Sequence, residues 1–190
     1  MTFVFSNLFS PEDIEYLTNH AETIKARSEL DQFDKVRFSV PLTPSIRAAL
    51  RLNLNLDLSN NDAVPMRWII GETYPHKDSG PTDFENTYLI YLNNSPGEFI
   101  IDNASYSITE NTAFVFRHGL LHKTQNTGET PRLLLGPMNE HGDQVGVTIA
   151  YYTNYDDAYA QNGNTIANQA VTWILGDTTY MTGSIEDYTT

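Results

Sequence analysis

Residues 98–116, Glu98-Phe99-Ile100-Ile101-Asp102-Asn103-Ala104-Ser105-Tyr106-Ser107-Ile108-Thr109-Glu110-Asn111-Thr112-Ala113-Phe114-Val115-Phe116, hold three short runs rich in β-branched and aromatic residues, separated by turn signals. Asp102-Asn103-Ala104 and Glu110-Asn111 have the residue types of tight turns between neighbouring antiparallel strands. The same texture recurs outward on both sides. Met66 to Gly71, Thr87 to Leu92, Arg132 to Leu135 and Val145 to Tyr152 are further short runs punctuated by Gly, Pro, Asn and Asp. Many short strands at close spacing predict a sandwich, jelly roll or barrel.

Upstream the pattern is helical. Ser10-Pro11-Glu12-Asp13 combines a capping residue, a proline suited to the first helical position and two acids at the positive end of the dipole. Ile14, Leu17, Ala21 and Ile24 follow at helical spacing, so a helix is expected over about 11–27, with His20 on its polar surface. Thr43-Pro44 opens a second helix with Ile46, Ala49 and Leu50 on one face. A single domain is expected: a helical preface over 1–62, a motif-bearing β core over 63–136, and an acidic extension over 137–190 that completes the barrel or acts as a lid. Thr165 to Leu175 reads as a short helix within that extension.

The chain has 190 residues, 24 acidic and 11 basic side chains and a formal net charge of −13. Arg132 is the last basic residue, and seven carboxylates follow it. Nucleic acid and an anionic membrane surface are therefore not expected as partners, since both require clustered Lys and Arg. Cysteine is absent, which removes disulfides, Cys-ligated zinc and thiol nucleophiles. With no basic, apolar leader at Met1 and no run of about 20 apolar residues, a soluble cytoplasmic protein is expected.

Chemistry concentrates in Thr73-Tyr74-Pro75-His76-Lys77-Asp78-Ser79-Gly80. In extended backbone His76 and Asp78 share a face, so an imidazole nitrogen and a carboxylate oxygen can bind one cation. A third ligand must come from a distant strand, and His122 or His118 can supply it. Two histidines and one carboxylate on one side of a metal form the facial triad of non-haem Fe(II) oxygenases. Arg132 lies ten residues after His122, across a turn-rich segment, which brings the two together on returning strands. A guanidinium inside a barrel needs an anion, and its planar fork suits a carboxylate. Taken alone, Arg132 reads more readily as a surface strand residue, but that leaves the joint spacing unexplained.

Here the sequence resembles the 2-oxoglutarate/Fe(II)-dependent oxygenases, specifically the prolyl-4-hydroxylase-like branch. The resemblance covers about Phe9 to Leu135 and is carried by Ile70-Gly71-Glu72-Thr73-Tyr74-Pro75-His76-Lys77-Asp78, Tyr88-Leu89-Ile90-Tyr91-Leu92-Asn93, Pro96-Gly97-Glu98-Phe99, Ala113-Phe114-Val115-Phe116, His122 and Arg132. The interval from Phe116 to His122 is similar to the family's and selects His122 over His118. Pro96 replaces the first glycine of the family's Gly-Gly-Glu.

The resemblance implies a mainly β fold with flanking helices around a double-stranded β-helix, a cupin-like jelly roll. It implies Fe(II) on His76, Asp78 and His122, and 2-oxoglutarate on Arg132, with Tyr88 donating a second hydrogen bond to the same carboxylate. The implied reaction is hydroxylation of a C–H bond of a peptidyl (prolyl) or amino-acid substrate, using O2 and releasing succinate and CO2, with ascorbate a candidate reductant. An acidic tail over the pocket would select cationic or neutral substrates. The rival from another class is a non-catalytic cupin-like binding or assembly module.

Overall fold

The computed structural model describes residues 1–80 and 83–149, with side chains through residue 146. In chain order the elements are β1 (Thr2–Ser6), α1 (Pro11–Asn19), α2 (Ala21–Ser28), β2 (Lys35–Pro41), α3 (Pro44–Leu54), β3 (Ala63–Ile69), β4 (His76–Ser79), β5 (Asn86–Tyr91), β6 (Glu98–Ile101), β7 (Ala104–Ser107), β8 (Thr112–Arg117), β9 (His122–Gln125), β10 (Arg132–Met138) and β11 (Gly146–Ile149). One sheet runs β1-β8-β5-β10-β3-β2 and the other β11-β4-β9-β6-β7, with antiparallel pairing throughout. From β3 onward the chain passes back and forth between the sheets. Strands β3 to β10 supply four neighbours to each, which is a double-stranded β-helix.

The larger sheet has two apolar faces, set by the two-residue side-chain period. Met66, Tyr88, Ile90, Val115, Leu133 and Leu135 point outward and pack with Leu17 of α1 and Ile46 and Leu50 of α3. Ile69, Leu89, Tyr91, Phe114, Phe116 and Leu134 point inward, toward Phe99 and Ile101 of β6. Each such side chain contributes about 1.5–3 kcal/mol when fully buried. The central strands β5, β8 and β10 are buried on both faces, which is why β5 and β10 read as nearly continuous apolar runs rather than alternating ones.

Several expectations change. The helix expected over 11–27 breaks at His20, whose ψ of 144° ends α1. The His20 imidazole then caps α2 by accepting from the Glu22 amide, and the Thr23 hydroxyl donates to the Leu17 carbonyl. Residues 1–62 are not purely helical, because β1 and β2 form the two edges of the larger sheet. Asp102 and Asn103 do make the β6–β7 hairpin turn, with φ of 47° and 67°. Glu110-Asn111 instead carries the chain from one sheet to the other, and β7 does not pair with β8. Asn111 holds this crossover by bonding both the amide and the carbonyl of Phe9. The run expected from Val145 is strand β11 to Ile149; the rest of it, and the helix expected over 165–175, lie outside the described residues.

Gly97 fixes the approach of β6 to β9. Its φ is +82°, and a Cβ there would sit 2.3 Å from the Gln125 carbonyl oxygen. Gly119 has a similar φ of +84° with nothing near. Gly119→Ala should therefore cost about 1–2 kcal/mol, the price of a left-handed backbone alone. Gly97→Ala adds a main-chain collision and should exceed about 3 kcal/mol in urea denaturation. Equal losses would show that the close approach is not what holds Gly97.

Candidate metal centre

Strands β4 and β9 are neighbours in the smaller sheet, with His76 opposite His122 in register. The loop before β4 is clamped to β9 by two threonines. The Thr73 amide donates to the Thr124 hydroxyl at 2.8 Å, and the Thr124 amide donates to the Thr73 hydroxyl at 2.8 Å. This double bond between loop and strand sets the start of β4, and with it the height of His76. Alternation then places Asp78 on the same inward face.

The three side chains are all buried, and one ligand atom from each lies within 4.8 Å of the others. His122 Nε2 is 3.5 Å from one Asp78 oxygen, and His76 Nε2 is 4.0 Å from the other. Each Nδ1 faces a main-chain carbonyl two residues earlier, that of Tyr74 at 2.6 Å and that of Leu120 at 3.0 Å. A carbonyl only accepts, so each Nδ1 carries the hydrogen and each Nε2 presents its lone pair toward Asp78. The His122 ring rests against Phe116 and Phe99, with centroids 4.8 and 5.8 Å away.

Electrostatics suit a cation. Burial pushes His76 down to about 3, reinforced by His122 and opposed by Asp78, so its ring is neutral and able to ligate. Burial works to raise the Asp78 carboxyl, but His122, His76 and the Thr87 hydroxyl together hold it below the usual range. Asp78 is thus an ionised carboxylate with a buried Oδ2 that has no hydrogen-bond partner. An orphaned anionic oxygen aimed between two imidazole lone pairs fits a divalent metal held by three protein ligands, with positions left open on the far side.

Arg132 opens β10 on the inward face and is 1% exposed. Its Nη2 donates to the Gly71 carbonyl and, at 3.4 Å, reaches the Thr124 hydroxyl, while its Nε and Nη1 have no partner. Tyr88 is not brought to this site. It lies on the outer face of β5 in the helix-side core, and burial together with Glu140 and Glu85 raises its phenol. The inward aromatic hydroxyl is Tyr91, three residues on, whose fully buried phenol is pushed up by burial and interacts with Arg132. An outward-versus-inward count along Thr87 to Leu92 could have separated the two, had the face holding Leu89 been known. His118 is exposed and packs on Phe84, away from His76 and Asp78.

Arg67 on β3 was not expected at the site. It is buried, faces inward beside Leu134, and interacts with Asp78. Arg37 pairs with it across β2, and Lys35 lies close enough to act on His76. A lone Arg in the run Met66 to Gly71 gives no sign of its direction until the strand register is known.

No family model and no curated protein sequence matches the chain. Solved structures of similar shape include a Pseudomonas putida prolyl-4-hydroxylase, at 13% identity, covering 70% of this chain and 89% of that one, with a TM-score of 0.47. An oxidoreductase of the 2OG-Fe(II) oxygenase family from Burkholderia pseudomallei aligns at 14% identity over 75% of this chain and 86% of that one, with a TM-score of 0.46. Vicilin from Corylus avellana aligns at 16% identity over 60% of this chain and 31% of that one, with a TM-score of 0.35. The strand order itself defines the class of this chain, a double-stranded β-helix.

Two measurements check the centre. His122→Ala should weaken Fe(II) or Mn(II) binding by more than about 100-fold in anaerobic calorimetry, beyond what loss of a ligand's supporting bond costs, whereas His118→Ala should leave it intact. The reverse pattern would move the third ligand to His118. Lys35 is pushed down to about 7, by burial first and then by Arg67 and Arg37. A lysine whose folded value lies below its unfolded value of 10.5 costs stability in full below about pH 7, and the cost fades as pH rises toward 10.5. Lys35→Met should therefore stabilise the metal-free protein most at pH 6–7 and least near pH 10, read as paired urea midpoints.

Proposed function

We propose that this protein is an Fe(II)- and 2-oxoglutarate-dependent dioxygenase that hydroxylates a C–H bond of a peptidyl or amino-acid substrate. The observation that carries the reading is the buried His76–Asp78–His122 cluster on the inner face of the smaller sheet, with Arg132 reaching toward that sheet at Thr124 from the inner face of the larger one. When bound, Fe(II) supplies the open sites at which 2-oxoglutarate and O2 react, with one oxygen atom entering succinate, the other entering the C–H bond, and CO2 leaving.

The residues divide the remaining work. Asp78 neutralises one charge of the cation and accepts no competing hydrogen bond at Oδ2. The Tyr74 and Leu120 carbonyls fix both imidazoles in the ligating tautomer. Arg132 directs its unpartnered Nε and Nη1 to the distal carboxylate of 2-oxoglutarate, in the fork geometry that suits a carboxylate. Tyr91 takes the role first expected of Tyr88: its raised phenol stays protonated and able to donate beside Arg132. Phe99 and Phe116 wall His122 from water.

Mixing protein, Fe(II) and 2-oxoglutarate without oxygen should give a visible metal-to-ligand charge-transfer band, and air should then yield uncoupled succinate. Arg132→Met should raise the 2-oxoglutarate concentration for half-maximal band about 30- to 100-fold, the loss of charged hydrogen bonds worth roughly 2–3 kcal/mol. No band and no succinate would leave the cupin-like binding module as the reading.

A further inference from the structure

The concave face carries a second guanidinium that the proposed reaction does not use. Arg67 is 6% exposed, and its Nη2 makes one long bond of 3.3 Å to the Val145 carbonyl. Its Nε is buried without a partner. Its cross-strand neighbour on the same face is Arg37, a like charge directly opposite, which destabilises a sheet. Two residues along β2 from Arg37, and so on the same face, is Lys35. Asp78 is the acid that acts on Arg67, and the metal reading assigns that carboxylate to the cation.

A buried guanidinium whose Nε has no partner costs several kcal/mol unless an anion meets it. Arg132 cannot relieve this, being a cation itself. The two inward arginines sit on adjacent strands, with Arg132 opposite Ile69 and Arg67 opposite Leu134, a spacing that gives each its own anion. One anion is the distal carboxylate of 2-oxoglutarate. We infer that the other is a carboxylate of the substrate itself, bound by Arg67, so that the substrate is a small carboxylic acid held across the cleft from His76 and Asp78. This rests on the oxygenase reading for its chemistry, and it reverses the expectation of a cationic or neutral substrate drawn from the acidic tail.

The test separates the two readings. N-acetyl-L-leucine and N-acetyl-L-proline, each beside its primary amide, are titrated without oxygen into Fe(II)-loaded protein with 2-oxoglutarate at saturation, and binding is read by thermal shift. The acids should bind at least tenfold more tightly than the amides. Arg67→Met should erase that gap and Arg67→Lys keep part of it, while the anaerobic charge-transfer band of Arg67→Met retains its 2-oxoglutarate dependence. If Arg67→Met does not fold, Arg67→Lys and the wild-type acid-to-amide ratio carry the test. Equal binding of acid and amide overturns the inference, as does a gap that survives in Arg67→Met. Loss of the 2-oxoglutarate band in Arg67→Met overturns it too, by making Arg67 the co-substrate's anchor. An acid preference lost in Arg67→Met but with no band in wild type would uphold the carboxylate subsite and sink the oxygenase reading.

Discussion

A carboxylate held in a protein interior must find charge or hydrogen bonds, and within the described residues Asp78 has charged Arg67 near it but no hydrogen bond at its Oδ2. The neighbouring architecture follows from keeping it there. The Thr73–Thr124 clamp fixes where β4 begins, the His76–His122 pair fixes how β4 meets β9, and two backbone carbonyls turn both imidazole lone pairs toward the carboxylate. A slip of one residue in β4 would turn His76 and Asp78 outward and Lys77 inward. The register is thus a condition for any cation binding at all.

The same constraint explains the uneven filling of the barrel. Toward β5, β6 and β8 the interior is aromatic, with Tyr91, Phe99, Phe114 and Phe116 in edge-to-face contacts. Toward β2, β3 and β4 it is ionic. The outer face of the large sheet meets the helices with aliphatic side chains, and this core needs no ion to be stable. The larger cluster of buried apolar side chains thus lies on the outer side of the sheet. That leaves the inner side able to carry Arg67, Arg132 and Asp78, which an apolar filling would replace without loss of fold.

The sequence made the strands and their turns legible wherever burial is two-sided. Thr87 to Leu92 and Thr112 to Phe116 are apolar enough to announce themselves, and Asp102-Asn103 declares its hairpin through residues that accept positive φ. The strands that escaped notice are short or polar. β4 is His-Lys-Asp-Ser and β9 is His-Lys-Thr-Gln, so the two strands that hold the metal ligands are the two with least β propensity. Edge strands β1 (Thr-Phe-Val-Phe-Ser) and β2 are rich in apolar residues, but they lie among the helices, far in sequence from the β core, and only pairing with β8 and β3 assigns them to the sheet. The break at His20 depended on tertiary bonds, among them the Trp68 indole to the Thr23 carbonyl, which helical periodicity does not encode.

The candidate ligands were legible because His-x-Asp needs only the two-residue period, whereas facing is a property of the whole sheet. Tyr88 and Tyr91 differ by an odd number of positions, and so by face, yet both stand in one apolar run buried on each side. Arg67 is the more instructive case. Its neighbours Met66 and Trp68 belong to the helix-side core, and only pairing with Leu134 reveals that the intervening residue enters the barrel. Where both faces of a strand are buried, polarity cannot mark the outside, and a lone charged residue becomes the strongest indication that the other face holds something besides hydrocarbon. The net charge of −13 conceals this, because Lys35, Arg37, Arg67 and Arg132, four of the 11 basic residues, turn toward the interior of an acidic chain.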